Sequence, residues 1–173
     1  LSKVITDFAE GEIRQSLTAF DSSLTLEDYL EKSFYKTASL IAGSSKAAGV
    51  LSGVTSLQAD QLFNFGKHFG IAFQIVDGKP AGSDLKQGNL TAPVLFALEE
   101  YPHLNELINR EFSEPTDLTD VLTLVQKSAG VQRSRDLAKT HAKLALSEIE
   151  WLPTSAHKQS LLDLTDYILE RLY

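Results

Sequence analysis

The chain has 173 residues, of which 43% are hydrophobic and 23% are charged, and its formal net charge is -7. This length suits one domain with a substantial core, and the composition is that of a globular protein rather than a disordered or fibrous one. The negative charge disfavours a broad nucleic-acid interface, because binding a phosphate backbone requires a basic face. No apolar run approaches the roughly 20 residues that cross a bilayer, so we expect no transmembrane segment.

The sequence contains no cysteine, which excludes disulfides and thiolate metal sites. Any metal ion would be held by harder ligands such as carboxylates, and that coordination is typical of magnesium. The first residues also lack the charged-then-apolar pattern of a secretory signal. These features predict a soluble protein whose metal chemistry, if it has any, uses oxygen ligands.

The first part of the chain shows helical periodicity. Apolar residues spaced at threes and fours predict a helix over residues 2–20, whose apolar face needs a partner to pack against. Thr25 and Asp28 form a capping pattern, which predicts a second helical stretch to Val50 with a break near Gly43.

A third helix is predicted over residues 55–77, capped by Thr55 or Ser56. Gly66 and Gly70 lie one turn apart on it. Glycine costs roughly 1 kcal/mol relative to alanine inside a helix, so a pair at this spacing indicates close approach by a neighbouring helix or a ligand. Helix packing is the favoured explanation.

The periodicity stops between residues 78 and 89, where glycines and a proline predict an ordered loop. Further helices are predicted near residues 93–100, 103–112, 118–126, 131–151 and 156–172, with prolines near the breaks. No convincing strand pairs with another. The sequence therefore predicts an all-α protein.

Two pairs of residues are candidates for phosphate or metal chemistry. Lys36 and Thr37 could bind a phosphate oxygen through charge and a hydroxyl donor, although composition alone favours a snorkelling lysine beside a half-buried threonine. Gln74 and Asp77 are neighbours on one helix face, and Asp77 could ligate magnesium. A lone aspartate is more often a solvated cap, because a magnesium site normally takes more than one anionic ligand.

Lys79 and Asp84 lie in the glycine-rich loop, where the flexible backbone and the lysine could close over a phosphate, although Gly-Lys-Pro loops are usually plain turns. The four histidines show no spacing typical of a metal or catalytic set, so we assign them no role.

The order of these motifs carries more information than any one of them. The sequence contains Phe-Tyr-Lys-Thr-Ala-Ser-Leu, then Phe-Gln-Ile-Val-Asp, then Gly-Lys-Pro-Ala-Gly-Ser-Asp-Leu and Gly-Asn-Leu-Thr-Ala-Pro. In order and spacing it resembles the carboxy-terminal half of trans-polyprenyl diphosphate synthases, and most closely the solanesyl-type enzymes of cyanobacteria and plastids. The likeness covers essentially all of residues 1–173 and implies an isoprenoid synthase-type helical bundle.

This resemblance implies an enzyme that condenses isopentenyl diphosphate with an allylic diphosphate to make a long-chain polyprenyl diphosphate. It implies Mg2+ as cofactor, a homodimer, and a location in the bacterial cytoplasm or the plastid stroma. Lys36, Thr37, Gln74 and Lys79 would bind the allylic diphosphate, and Asp77 would be the first metal ligand of the second aspartate-rich motif.

Supporting roles also follow from the resemblance. Gln15 and Asp84 would support metal-bound water, and Phe73 would line the isoprenoid site. The catalytic set implied by the family is Lys36, Thr37, Gln74 and Asp77.

The sequence departs from the family pattern in three places. The family motif Asp-Asp-x-x-Asp and a short loop precede Gly-Lys-Pro, whereas Asp77 is joined directly to Gly78. The first aspartate-rich motif lies upstream in the family, so we expect the chain to be the carboxy-terminal part of one synthase domain. Asn89 stands where many relatives have a diphosphate-binding lysine. If the carboxylates after Asp77 are truly deleted, the alternative is a catalytically inactive helical subunit that binds or regulates an active prenyltransferase.

Overall fold

The computed structural model describes residues 2–78 and 82–171. Within these ranges the regular structure is helical throughout, with no strand, and the all-α prediction is confirmed. The elements are α1 (Ser2–Leu17), α2 (Leu26–Ser33), a π-helical turn (Phe34–Ala38), α3 (Ser39–Leu51), α4 (Ser56–Asp77), α5 (Gly82–Lys86), α6 (Ala92–Glu100), α7 (Leu104–Asn109), α8 (Asp117–Lys127), α9 (Gly130–Glu148) and α10 (Ala156–Glu170).

The longest helix, α4, lies at the centre of the bundle and packs on α3, α9, α10 and the π turn. It begins where the sequence predicted, because Thr55 and Gln58 form a reciprocal capping box. Phe65, Phe69 and Val76 on α4 are buried in the main hydrophobic core.

Gly66 and Gly70 confirm the prediction of close helix packing on α4. A Cβ atom at Gly66 would lie 2.7 Å from the Ala42 Cα atom, and one at Gly70 would lie 2.6 Å from the Ala38 Cα atom. The two glycines therefore let α3 and the π turn approach the α4 backbone directly.

Two local predictions were wrong. No break occurs near Gly43; the helical stretch is instead interrupted by the π turn over Phe34–Ala38, where one extra residue is accommodated. The predicted loop over residues 78–89 contains the five-residue helix α5, which is too short to show periodicity.

The apolar face predicted for α1 is exposed. Ile5, Phe8, Ile13 and Leu17 on this face are all more than half accessible to solvent, whereas Asp7 and Gly11 on the same helix are buried. Helix α1 thus contacts the rest of the bundle through its small and polar side. In the part of the chain that is described, no helix is both long and apolar enough to cross a membrane.

Candidate diphosphate-binding site

A polar cavity of about 190 Å³ lies beside the carboxyl end of α4. Parts of α1, α2, the π turn, α5 and the segment before α6 surround it. Its lining brings together five candidate site residues predicted from the sequence, namely Gln15, Lys36, Gln74, Asp77 and Asp84. The remaining lining residues are Tyr29, Lys32, Ser33, Gly78, Asn89 and Thr91.

Helix α1 holds the side chain of Lys36 in this cavity. The Lys36 Nζ atom donates a hydrogen bond of 2.8 Å to Gln15 Oε1 and forms an ion pair of 3.2 Å with Glu12 Oε1. These contacts lie on the solvent side of the site, since about a third of the lysine side chain is exposed. Lys36 is thus oriented but remains accessible to an anion.

The π turn that carries Lys36 is held tightly by two glycines. A Cβ atom at Gly11 on α1 would lie 2.6 Å from the Lys36 backbone nitrogen, and one at Gly70 on α4 would lie 2.6 Å from Ala38 Cα. Both distances are shorter than van der Waals contact allows. The backbone position of Lys36 therefore depends on the absence of side chains at residues 11 and 70.

Asp77 is the last residue of α4, where the helix dipole disfavours a negative charge. Its Oδ1 atom accepts a hydrogen bond of 3.2 Å from Arg171 Nη2, and the side chains of both residues are about half exposed. A carboxylate in this position is a poor helix cap and a good cation ligand. Gln74 lies one turn earlier, and its carbonyl oxygen accepts a hydrogen bond from the Gly78 backbone amide.

The acidic side chains fit a magnesium site only in part. Within residues 2–78 and 82–171, no three His, Cys, Asp or Glu side chains converge as a metal site. Asp77 and Asp84 nevertheless line the same cavity as Lys36. Magnesium in proteins is often bound by one or two carboxylates together with substrate phosphates and water, so these two residues are compatible with that mode.

Thr37 does not line the polar cavity, although it follows Lys36 in the chain. It lines a separate cavity of about 250 Å³ whose other walls are mainly apolar and include Phe73, Tyr167 and Arg171. Arg171 of this cavity forms an ion pair with Asp77 of the polar cavity, so the two cavities are neighbours. The polar cavity thus lies next to the apolar cavity, and this arrangement suits a ligand with a charged head and a hydrocarbon tail.

Three further residues were either predicted for the site or set aside from the sequence. Lys79 lies outside the described residues. His68 and His141, which were assigned no role from the sequence, contact each other at 3.0 Å between their Nδ1 atoms, and burial lowers the pKa of both, that of His141 to about 4. They lie away from the polar cavity.

The sequence reasoning missed Lys32 and Thr91. Lys32 is only 6% exposed, and its Nζ atom donates a hydrogen bond of 3.0 Å to Asn89 Oδ1. Thr91 is 4% exposed, and its Oγ1 atom is buried without a hydrogen-bond partner among the described residues. One feature of the sequence could have indicated Lys32 as a site residue. It lies four residues before Lys36, and this spacing places two lysines on one helix face.

Burial and, to a smaller extent, the nearby charge of Lys36 together lower the pKa of Lys32 from 10.5 to about 8. Below about pH 8 Lys32 is charged in both the folded and the unfolded state. Burial of this charge then lowers the free energy of unfolding by its full desolvation penalty. Between pH 8 and 10.5 the folded lysine is neutral while the unfolded one is still charged, so stability rises with pH in that window.

We therefore expect Lys32→Met to stabilise the unliganded protein at pH 7, by up to about 3 kcal/mol, and this advantage to shrink as the pH rises from 8 towards 10.5. Urea denaturation of parent and variant at pH 7 and at pH 10 measures both effects. Lys46→Met is the control, because Lys46 forms an exposed ion pair with Asp60. A Lys32→Met variant less stable than the parent at pH 7 would show that the buried charge is not a net cost.

Comparison with known proteins identifies the fold around these cavities. A family model described as polyprenyl synthetase matches residues 1–125. A prenyl transferase of Cyanophora paradoxa is 55% identical, with the match covering 100% of this chain and 57% of the relative. The chloroplastic solanesyl-diphosphate synthase 2 of Oryza sativa subsp. japonica is 46% identical over 99% of this chain and 46% of the relative.

The solved structures agree with these matches. A polyprenyl synthase from Caulobacter crescentus, complexed with calcium and isoprenyl diphosphate, superposes with a TM-score of 0.89 at 28% identity, covering 99% of this chain and 58% of that one. The chain spans about half the length of the curated relatives it matches.

The alignment with the C. paradoxa relative extends over 185 residues, whereas this chain has 173, so that relative carries about a dozen residues with no counterpart here. The likeness nevertheless runs through every helix that surrounds the polar cavity, and the family model covers all of its lining residues. The chain therefore belongs to the polyprenyl synthetase family, and its helices form the isoprenoid synthase-type bundle that the sequence predicted.

Proposed function

We propose that the native polypeptide containing this chain is a trans-prenyltransferase that condenses isopentenyl diphosphate with an allylic diphosphate to make a long-chain polyprenyl diphosphate. The observation that carries this proposal is the pair of adjoining cavities at the end of α4, one lined by lysines and carboxylates and the other by apolar side chains. An allylic diphosphate has a charged head and a hydrocarbon tail in the same arrangement. The names of the matched relatives support the same activity.

The residues of the polar cavity would bind and orient the diphosphate. Lys36 would donate to a phosphate oxygen that leaves with the pyrophosphate, and Gln74 would contact the same group from α4. Negative charge on that group grows as the bond to the allylic carbon breaks. A fixed ammonium at this position therefore stabilises the transition state more than the bound substrate.

The apolar cavity would hold the isoprenoid portion. Phe73 and Tyr167 supply aromatic walls, and Thr37 lies at the same cavity rather than at the phosphate. We therefore propose a lining role for Thr37 near the reacting carbon instead of the diphosphate contact implied by the family motif. Dry apolar walls keep water away from the allylic cation.

Asp77, together with Asp84 of the same cavity, would hold Mg2+, which supplies positive charge for the diphosphate leaving group when bound. Lys79 is proposed to contact the diphosphate from the segment after Asp77. We propose that the residues present in relatives but not here include further carboxylates after Asp77. The comparisons do not favour the alternative of an inactive regulatory subunit, because the matched relatives are named as transferases and synthases.

The chain is proposed to be the carboxy-terminal part of one synthase domain that forms a homodimer in the bacterial cytoplasm or the plastid stroma. The exposed apolar side chains of α1 support the proposal that the chain is part of a larger domain, since they require a packing partner. Val50, Leu51 and Leu57, exposed where α3 meets α4, are candidates for an interface between copies. Sedimentation of the native polypeptide tests the dimer.

The activity is tested by incubating the native polypeptide with an allylic diphosphate, radiolabelled isopentenyl diphosphate and Mg2+. We expect label in solvent-extractable polyprenyl products, and loss of that label when EDTA removes the metal. Thin-layer chromatography of the dephosphorylated products measures chain length. No labelled product with any allylic primer, from a polypeptide whose intact mass and peptide map are complete, would overturn the proposal.

A further inference from the structure

Lys32 is a buried lysine that pairs with no carboxylate in the part of the chain that the structure describes. Its side chain is 6% exposed and lines the polar cavity, yet its partner is the neutral amide oxygen of Asn89 at 3.0 Å. Among the described residues, no carboxylate pairs with the Lys32 ammonium group. An ammonium ion withdrawn from water without an opposite charge is costly, so folding alone does not explain a lysine at this position.

The other lysine of the cavity is in a different situation. Lys36 already pairs with Glu12 and donates to Gln15, and about a third of its side chain is exposed. Lys32, which is more buried, has two ammonium hydrogens left for a ligand after its bond to Asn89. Asn89 carries no charge, so Lys32 supplies the positive charge of this hydrogen-bonded pair.

A second, independent observation points to the same ligand. Thr91 lines the cavity, and its Oγ1 atom is buried and has no hydrogen-bond partner among the described residues. A buried hydroxyl is normally satisfied, so this one indicates a missing partner. Unused donors on a lysine and a threonine suit a group that only accepts hydrogen bonds, which is what a phosphate oxygen does.

We propose that Lys32 binds a phosphate oxygen of the diphosphate directly, with the Thr91 hydroxyl as a second donor, and that Asn89 orients the ammonium group for this contact. The proposal rests on the proposed function and deepens it. It makes the buried Lys32 a second positively charged contact of the diphosphate beside the more exposed Lys36. Neither Lys32 nor Thr91 belongs to the set that the sequence motifs suggested.

Binding of inorganic diphosphate to the native polypeptide in the presence of Mg2+, measured by calorimetry, tests this role without requiring turnover. We expect Lys32→Met to bind about 10- to 100-fold more weakly, the usual loss for a hydrogen bond to a charged group. Lys32→Gln keeps a donor but not the charge and should lose affinity to a similar extent. Lys46→Met, which removes the same charge from an exposed ion pair on α3, should bind like the parent.

Moving the charge gives a second test. Since Lys32 Nζ and Asn89 Oδ1 are 3.0 Å apart, a lysine at residue 89 can bring its ammonium group to the same place. We expect Asn89→Lys, introduced into the Lys32→Met variant, to restore most of the diphosphate affinity lost in Lys32→Met.

The outcomes separate the two proposals. A parent that binds diphosphate but makes no polyprenyl product would overturn the proposed function and leave the binding role of Lys32 intact. Unchanged affinity in both Lys32→Met and Lys32→Gln, with normal product formation by the parent, would overturn the role of Lys32 alone.

Discussion

Replacing Lys36 by alanine in the native polypeptide is expected to lower turnover by about 100- to 1,000-fold at saturating substrate concentrations. In the proposed function the ammonium group would act on charge that develops only as the diphosphate leaves, so its loss should raise the energy of the transition state more than that of the bound substrate. The fall in kcat should therefore exceed the rise in KM for the allylic diphosphate. Steady-state kinetics with labelled isopentenyl diphosphate measures both constants.

Lys46→Ala is the matched control for this experiment. Lys46 lies on α3, the helix that follows the π turn, and its ammonium group pairs with the exposed Asp60 at 2.6 Å. An exposed ion pair contributes little to stability, so turnover should stay within about twofold of the parent. A Lys36→Ala enzyme that kept most of the parental turnover would remove Lys36 from the leaving-group site.

Gly70→Ala is expected to destabilise the protein by about 3 kcal/mol and to lower activity as well. The added Cβ atom would lie 2.6 Å from Ala38 Cα and 2.7 Å from Ala38 Cβ, so α4 and the π turn must move apart. Because Lys36 lies in the same turn, its ammonium group moves with it. Urea denaturation measures the loss of stability, and kcat measures the displacement of Lys36.

Gly43→Ala is the corresponding control, since both glycines lie inside helices. The atom nearest to a Cβ at Gly43 is the side-chain Val4 Cγ2 at 2.9 Å, rather than a backbone atom. Adjustment of that side chain and the gain of up to about 1 kcal/mol in helix propensity should leave stability near that of the parent. If Gly70→Ala were as stable and as active as Gly43→Ala, the close packing around the π turn would not be what fixes Lys36.

The sequence predicted those parts of the fold that have long periods and clear caps. Helix α4 runs for 22 residues after a capping box at Thr55, so both its start and its buried face could be predicted. The π turn could not, because one extra residue in a helix leaves the surrounding apolar pattern almost unchanged. Helix α5 was missed because five residues do not complete two turns.

The candidate site was predicted in part. Lys36, Gln74 and Asp77 meet at one cavity, which the order of the motifs indicated before any geometry was known. Thr37 is adjacent to Lys36 in sequence but lines the neighbouring apolar cavity, because the direction of a side chain in a π turn does not follow from helical spacing. Lys32 was missed because a lysine four residues from another lysine is usually solvent-exposed, and its burial depends on the segment that carries Asn89.

The most direct test of the account is the position of the diphosphate in a crystal structure of the native polypeptide with Mg2+ and an unreactive allylic thiolodiphosphate. We predict that the phosphate oxygens lie within hydrogen-bond distance of the Lys32 and Lys36 Nζ atoms, with the metal on Asp77. The hydrocarbon tail should enter the cavity lined by Phe73 and Tyr167. A diphosphate bound elsewhere, with Lys32 and Lys36 free of it, would contradict the assignment of the polar cavity as the allylic diphosphate site.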